Sequence, residues 1–442
     1  MQFSNEQQQA YSAYLNGENL FLSGPGGSGK SELIRHIYED AINKHTNIQV
    51  TALTGCAAVL LNCRANTLHS WAGIGFAKAS IDSYVKKIRQ RPYFKSLWQN
   101  TTILVVDEIS MMSSGLFDTL NEIGKQIRRN RKPFGGIQLI FSGDFYQLPP
   151  VGDVGIPEST NFCFESEEWK SAFTKKNHVL LTKIFRQKDE AYANILNQIR
   201  VGKIKRKTID ILQKCVNRPQ DTDLLIKPTK ILPKKSLVDF VNETEMNKLN
   251  GIEKLFHMKY IYKNESKLLD ELNKDVVGDV TFMTNHLACN MVVRLKVGAQ
   301  VMSIINKRDD EERELVICNG SRGVVTSFCP TTGYPIVQFD KGLEIRIEPH
   351  AWANERKPEI AVAQLPLILA WAITIHKSQG CTLDVAEINI GSNIFECGQT
   401  YVALSRVKSL EGLYLTSFDY TKIKVNKKVI DFYTELTEHI NK

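Results

Sequence analysis

Asn19-Leu20-Phe21-Leu22-Ser23-Gly24-Pro25-Gly26-Gly27-Ser28-Gly29-Lys30-Ser31 is an apolar run that breaks into glycines and ends on an ammonium and a hydroxyl. The apolar part predicts a strand, and the amphipathic pattern from Ser31 to about Asn43 predicts a helix. Strand, glycine-rich turn and helix together form the context of a phosphate-binding loop. Across Gly24, Pro25, Gly26, Gly27, Ser28 and Gly29, glycine allows backbone N–H groups to wrap a phosphate without interference from Cβ. The helix N-terminus adds its positive dipole end. In such a loop Lys30 reaches the β- and γ-phosphates and the Ser31 hydroxyl ligates Mg²⁺.

Two further stretches define what else surrounds the loop. Thr102-Ile103-Leu104-Val105-Val106-Asp107-Glu108 is an apolar run ending in two carboxylates, the pattern of a buried parallel strand. Beside a phosphate-binding loop, Asp107 is placed to hold Mg²⁺ and Glu108 to act as the general base on the attacking water. Taken alone, two acidic residues at a strand end could equally begin a solvated loop. Pro133 to Pro150 passes from a turn through a short apolar strand into Gly143-Asp144-Phe145-Tyr146-Gln147, so that a strand end delivers Gln147 as a γ-phosphate sensor. These residues describe a hydrolase of nucleoside triphosphates with ATP and Mg²⁺ as its cofactors.

At 442 residues the chain is long enough for more than one domain, and its 43% apolar content suffices for real cores. The formal charge of +8 favours a polyanionic partner. Nine cysteines without a C-x-x-C pair indicate neither a zinc site nor a disulfide framework and suit a reducing compartment. Met1 to Glu6 lack a secretory or transit pattern, and the longest apolar run, Leu365 to Ile375, is too short to span a bilayer. An intracellular protein without a membrane association is expected; nucleus, cytosol and viral compartment are not distinguished.

Strands at 19–23, 48–52, 102–107 and 138–142 alternate with helices at 31–43, 55–61 and 114–129, which predicts a parallel sheet with crossover helices. Residues 62–100 break this rhythm. A second set starts at Leu181, with helices near 189–200 and 208–214, a strand near 223–227 and a helix from Leu237 to Leu249. Residues 286–362 instead show short β-type runs between Gly, Pro and Asn turns, the pattern of a small all-β barrel.

The C-terminal third narrows the function. Ala370 to Leu383 contains Thr374, His376, Lys377 and Ser378, donors of the kind a phosphodiester backbone selects when no base edge is read. Arg186 and Arg406 could each reach a γ-phosphate across a cleft, if the second half is another α/β lobe, and stabilise charge in the transition state. Either alone could equally be a surface salt bridge.

The ordered set of motifs resembles a superfamily-one DNA helicase of the Pif-one family, related more distantly to the RecD group, and the match covers nearly the whole chain. Phe3-Ser4-Asn5-Glu6-Gln7 resembles the Q motif, which implies that Gln7 reads adenine. Thr51 to Ala58 and Thr67 to Gly75 resemble motifs Ia and Ib, which implies single-stranded DNA contacts from Thr54, Gly55, His69 and Trp71. Asp107 to Met111, Gly143 to Gln147, Leu181 to Gln187, 374–382 and 401–406 resemble motifs II to VI, with Gly380 among the nucleotide-binding positions. Asp118 to Leu139 is similar to the family's signature stretch. The implied fold is two RecA-like P-loop lobes with parallel sheets. Residues 1–62 and 81–184 form the first lobe, with a small insertion at 63–80. Residues 185–285 and 363–442 form the second, with the barrel at 286–362 inserted in it. The implied activity is 5′→3′ translocation on single-stranded and forked DNA by a monomer, with G-quadruplexes and RNA–DNA hybrids as further plausible substrates. A protein-displacing translocase that seldom separates duplex is the alternative. An ATPase without a nucleic-acid role leaves the later motifs unexplained.

Two positions depart from the family pattern. Asn66 stands where glycine is usual, and asparagine tolerates a positive φ there. Trp71 replaces the commoner phenylalanine, either as a stacking platform for a base or as core. Two basic stretches stand out, Tyr84 to Arg91 and, inside the signature stretch, Arg128 to Lys132. The first could lie near a fork or only solubilise; the second suits a helix end. Lys422 to Lys428, a third basic stretch, could extend the DNA track or simply be solvated.

Overall fold

The computed structural model describes residues 3–61, 63–74, 80–152, 157–185, 189–219, 226–263, 265–267, 271–272, 274–287, 289–305, 307–308, 315–317, 320–339, 342–354 and 357–440. The chain divides into two compact units. The first holds residues 1–214, 390–411 and 418–442, the second 215–389 and 412–417.

The first unit is built on β1 (Leu20–Ser23), β2 (Ile48–Ala52), β3 (Asn66–Thr67), β4 (Ile103–Asp107), β5 (Gln138–Gly143) and β6 (His178–Leu180). Their order is β3-β2-β4-β5-β1-β6, and every pairing is parallel. β1 and β4 are buried along their whole length, as strands covered on both faces must be. Alternate residues enter opposite layers. Leu20, Leu22, Ile103, Val105 and Ile140 pack under α1 (Asn5–Leu15), α2 (Lys30–Asn43) and α3 (Gly55–Leu61). Phe21, Leu104, Val106, Leu139 and Phe141 face the other layer. That layer comprises α4 (Leu68–Ala72), α5 (Ile81–Gln90), α6 (Pro92–Asn100), α7 (Ser114–Arg128) and α8 (Glu167–Ala172). Because all six strands run one way, Ser23, Asp107 and Gly143 come out along the same edge of the sheet. The loops at that edge form the crevice of an open α/β sheet.

Two stretches of the signature segment are structural devices. Phe134, Gly135 and Gly136 all take positive φ, and Phe134 is fully buried. Asn121 of α7 accepts from Phe134 N at 2.8 Å, and a Cβ on Gly124 would meet the Phe134 carbonyl carbon at 2.7 Å, so glycine permits this close approach. Arg128 does more than suit the end of α7. Its guanidinium donates to the carbonyls of Trp98, Gln99, Thr101 and Gly135, closing the C-terminal end of α6. Asn66 lies in β3, and the left-handed residue of this loop is Arg64, with φ 50°.

α9 (Glu190–Arg200) and α10 (Arg206–Lys214) also cluster with the first unit. In the second unit, Ala372–Thr374, Thr229–Leu232 and Ala386–Ile390 form parallel pairs, and Leu413–Phe418 closes that sheet. α11 (Lys235–Lys248) presents Asn242 to the edge strand, exchanging hydrogen bonds of 3.0 and 2.9 Å with Ala372. Residues 223–225 of the strand expected near 223–227 lie outside the described residues; the observed strand is Thr229–Leu232. Antiparallel strands run from Lys254–His257 to Leu367–Leu369, so the β-rich region is longer than 286–362. One sheet has the order Glu344–Arg346, Pro335–Phe339, Arg322–Phe328, Gln300–Ser303, Leu367–Leu369. α12 (Lys274–His286) and α13 (Ile375–Ser378) complete this unit's helices among the described residues.

Chain order then returns to the first unit with α14 (Gln399–Leu404) and α15 (Lys427–Ile440). By contact, α9, α10, α14 and α15 thus group with the first unit. The cause is side-chain chemistry. Phe432 stacks on Phe164 at 4.4 Å within the first unit's aromatic core, and Tyr192 of α9 donates to the buried Leu404 carbonyl at 2.8 Å. Among the described residues no helix is long and apolar enough to cross a membrane.

Candidate nucleotide and nucleic-acid sites

The loop from Gly24 to Gly29 leaves β1 and enters α2 with Gly27 and Gly29 at φ 82° and 86°. A Cβ on Gly24 would strike the Leu181 carbonyl at 2.7 Å, and one on Gly29 would strike Gln7 Nε2 at 2.7 Å. Gln7 is thereby placed against the loop. Its Oε1 accepts from Ser4 N at 3.0 Å in a capping box at the start of α1, which orients the amide. Lys30 Nζ donates to the carbonyls of Gly24 at 2.6 Å and Pro25 at 3.1 Å. Burial pushes the Lys30 pKa down, against the pull of Asp144, Asp107 and Glu108.

Asp107 ends β4 and is 6% exposed. Burial raises its pKa, opposed by Ser142 on the neighbouring strand and by Lys30. Glu108 follows with φ 57° and ψ 38°, a left-handed conformation costing about 1–2 kcal/mol in a residue other than glycine. Strain of this kind persists where surrounding structure dictates it, often at functional sites. Asp107 with the Ser31 hydroxyl at the head of α2 is an all-oxygen donor set, which fits a hard cation such as Mg²⁺.

The motif around Asp144 holds the feature that sequence reasoning missed. Asp144 is fully buried, and Arg200 at the end of α9 grips it with Nε–Oδ2 at 2.9 Å and Nη2–Oδ1 at 2.8 Å. Burial works against the Arg200 charge, but Asp144 more than offsets it, so the pKa is raised. The guanidinium lies 4.5 Å from the Tyr146 ring centroid and 5.5 Å from that of Tyr433, and these two rings stack 4.7 Å apart. The Tyr433 hydroxyl shares a 2.6 Å hydrogen bond with Ser23 and accepts from Phe145 N at 3.1 Å. The Tyr401 hydroxyl accepts from Gly26 N at 2.9 Å. A continuous buried network thus joins the phosphate loop to the Gly143–Gln147 segment and to α9, α14 and α15. Gln147 is 5% exposed and held by its neighbours; a Cβ on Gly398 would meet its carbonyl at 2.3 Å.

The other expected residues fall into three groups. Arg186 lies outside the described residues. Arg406 is 2% exposed, with Nε on the Val402 carbonyl at 2.9 Å and Nη2 on Ser405 Oγ at 2.7 Å. It groups by contact with the unit that carries the phosphate loop, and its charge lowers the Tyr401 pKa while burial raises it. In the second group, Thr54 accepts from Ala57 N at 3.2 Å and so caps α3, with Gly55 as its first residue. Thr67 caps α4 two residues ahead of His69. β2 and β3 pair with Ala52 opposite Thr67, so both helix starts stand at the carboxyl edge of the sheet.

Two expectations of DNA contact need correction. Trp71 is 3% exposed, and its ring packs 4.4 Å from Trp98 in the core, so it offers no open face to a base. Ser378 is fully buried, and its hydroxyl donates to the Ile375 carbonyl at 2.8 Å. In the same segment Thr374 caps α13, accepting from Lys377 N at 3.1 Å. Lys377 is exposed, His376 half-buried, and Gly380 takes φ 83°.

Comparison with known proteins agrees with this geometry. The family model described as PIF1-like helicase matches residues 2–210. The chain is 37% identical over 436 residues to the zebrafish (Danio rerio) ATP-dependent DNA helicase PIF1, covering 98% of this chain and 64% of that protein. It spans less than two thirds of the length of the curated relatives it matches first. The crystal structure of the Candida albicans Pif1 helicase superposes with a TM-score of 0.79 at 34% identity, covering 99% of this chain and all of that one. A Bacteroides Pif1 helicase in complex with ADP-AlF3 and ssDNA gives 0.69 at 28% identity, covering 99% of this chain and 98% of that one. The shared fold, extending over the whole of the solved Candida chain, places this protein: it belongs to the PIF1-like helicase family.

Proposed function

We propose that the protein is an ATP-dependent DNA helicase that translocates 5′→3′ on single-stranded DNA. The observation that carries this is the alignment, along one edge of a parallel sheet, of the phosphate loop, Asp107, Glu108 and the buried Asp144–Arg200 pair. Family membership supports the coupling to DNA. The relatives are named ATP-dependent DNA helicases, and one solved neighbour carries a nucleotide analogue together with single-stranded DNA.

In this reading Lys30 and the backbone of residues 24–29 hold the β- and γ-phosphates, and Gln7 reads adenine. Asp107 and Ser31 would hold Mg²⁺, which neutralises phosphate charge when bound. Glu108 orients and deprotonates the water, with Gln147 sensing the γ-phosphate. Arg406 and Arg186 are assigned to transition-state charge, and Gly380 to the nucleotide. Thr54, Gly55, His69, Thr374, His376 and Lys377 line the strand, mainly through its phosphates. The lobes are assigned as 1–62 with 81–184, and 185–285 with 363–442. The insertion is 63–80 and the barrel 286–362. The working species is a monomer inside the cell, acting on single-stranded and forked DNA.

The test is unwinding of tailed duplexes. Substrates with a 5′ tail should open and those with a 3′ tail should not; opening of only the 3′-tailed substrate overturns the polarity. Glu108→Gln should retain ATP binding while turnover falls by orders of magnitude, and full activity would remove Glu108 as the base.

A further inference from the structure

The basic stretches Tyr84 to Arg91 and Arg128 to Lys132 fold into one surface. α5 and α6 with α7 and its C-terminal extension, residues 81–100 and 114–132, hold ten Lys or Arg against three Asp or Glu, a surplus of seven. The surplus of the whole 442-residue chain is eight. Almost all of the net charge therefore sits on one layer of three helices. Arg89 donates to the Gln126 carbonyl at 3.3 Å, bringing the C-terminal end of α5 onto that of α7. Arg128, on the carbonyls of Trp98, Gln99 and Thr101, brings in the end of α6. These bonds and the Lys125–Glu168 pair use three of the cations. Lys86, Lys87, Arg91 and Lys95 are exposed and in no ion pair among the described residues. The same holds for Arg129, Arg131 and Lys132.

Thr101 leads into β4, and Lys132 to Gly136 lead into β5, so this surface lies at the amino ends of the parallel strands. The phosphate loop, Asp107, Thr54 and His69 all stand at the carboxyl ends. A five-residue strand separates the two edges by about 16 Å. The basic surface is thus distinct from the nucleotide site and from the DNA contacts assigned above. Its long, flexible cations suit a regular anionic backbone read without regard to sequence. Single-strand sites add aromatic platforms, and among the described residues Tyr93 is the one exposed aromatic on the three helices. The scarcity of exposed apolar residues also argues against insertion into a lipid surface.

We propose that the joined ends of α5, α6 and α7 form a second docking surface, for the backbone of a duplex DNA arm. The proposal rests on the helicase reading, because that reading puts duplex beside the motor. Its test is the full chain carrying Lys87→Gln, Arg91→Gln, Arg129→Gln and Arg131→Gln, titrated with a short blunt duplex over a range of salt. Parallel titrations use oligothymidylate, with ATPase as the readout, and phosphatidylserine vesicles. Duplex affinity should fall at least about tenfold at low salt. The slope of log affinity against log salt should become shallower by about 3.6, near 0.9 for each phosphate that is no longer neutralised. Oligothymidylate-stimulated ATPase should stay within about twofold. The charge-conserving set Arg91→Lys, Arg129→Lys and Arg131→Lys should bind duplex as the parent does, which separates charge from folding damage.

Unchanged duplex affinity and slope overturn the proposal. So does an equal loss of oligothymidylate affinity, which would make the surface part of the single-strand track. Preference for the vesicles over duplex would assign it to lipid. Absence of any oligothymidylate-stimulated ATPase in the parent protein would sink the helicase reading, while the duplex titration would still decide this surface.

Discussion

Removing either partner of the Asp144–Arg200 pair should destabilise the first unit far more than removing both. The geometry sets the magnitude. Asp144 is fully buried, the Arg200 side chain is 10% exposed, and two hydrogen bonds of 2.9 and 2.8 Å join them. Asp144→Asn keeps the shape but leaves a buried guanidinium on a neutral acceptor, at a cost of about 3–5 kcal/mol. Arg200→Met leaves a buried carboxylate at a similar cost and also forfeits the stacking over Tyr146, worth about 2 kcal/mol when desolvated. The double variant removes both charges, so its cost should fall below that of either single variant, at least about 3 kcal/mol short of the sum of the single costs. Urea titration read by amide hydrogen exchange at Phe141 to Tyr146 reports the first unit separately, since the two units need not unfold together. Single-variant costs under about 1 kcal/mol, or simple additivity, would refute the reasoning that this pair ties α9 to the sheet.

Two further outcomes are expected. His178 is 7% exposed, and burial lowers its pKa from 6.5 to about 4. The fold keeps the ring neutral while the unfolded chain takes up a proton below pH 6.5. Stability should therefore fall as pH drops from about 6.5 to about 4, by up to about 3 kcal/mol. His178→Phe should flatten that limb in pH-dependent denaturation, and an unaltered limb would show that His178 does not govern it. Trp71→Phe should lose about 1–2 kcal/mol of stability, as a core truncation does, with oligothymidylate affinity unchanged in an anisotropy titration. A tenfold loss of affinity would restore Trp71 as a stacking platform.

Much of the first unit was legible before any coordinates. The strands expected at 19–23, 48–52, 102–107 and 138–142 stand within a residue of their observed limits, as do the helices at 31–43, 55–61 and 114–129. These segments are short, continuous and of one period, so each declares itself within its own window. The β-rich region was legible in kind but not in extent, because its first strands, Lys254–His257 and Lys259–Tyr262, follow a helix and each begin on a lysine. Arg128 was placed at a helix end but not on four carbonyls, since its partners lie on other elements. Trp71 stood open between two roles until Trp98 was found against its ring.

What the chain's letters determined alone is the chemistry of the phosphate loop and of the carboxylates after β4. That chemistry rests on steric and periodic rules acting over fewer than about ten residues. Only the tertiary structure could decide that Arg200 neutralises Asp144, that Tyr433 anchors α15 to Ser23, and that scattered cations meet at one end of the sheet. The Ser23 and Tyr433 partners stand 410 residues apart, and no local pattern encodes such a meeting. It is chosen by which charged or hydroxyl groups would otherwise be left buried without a partner.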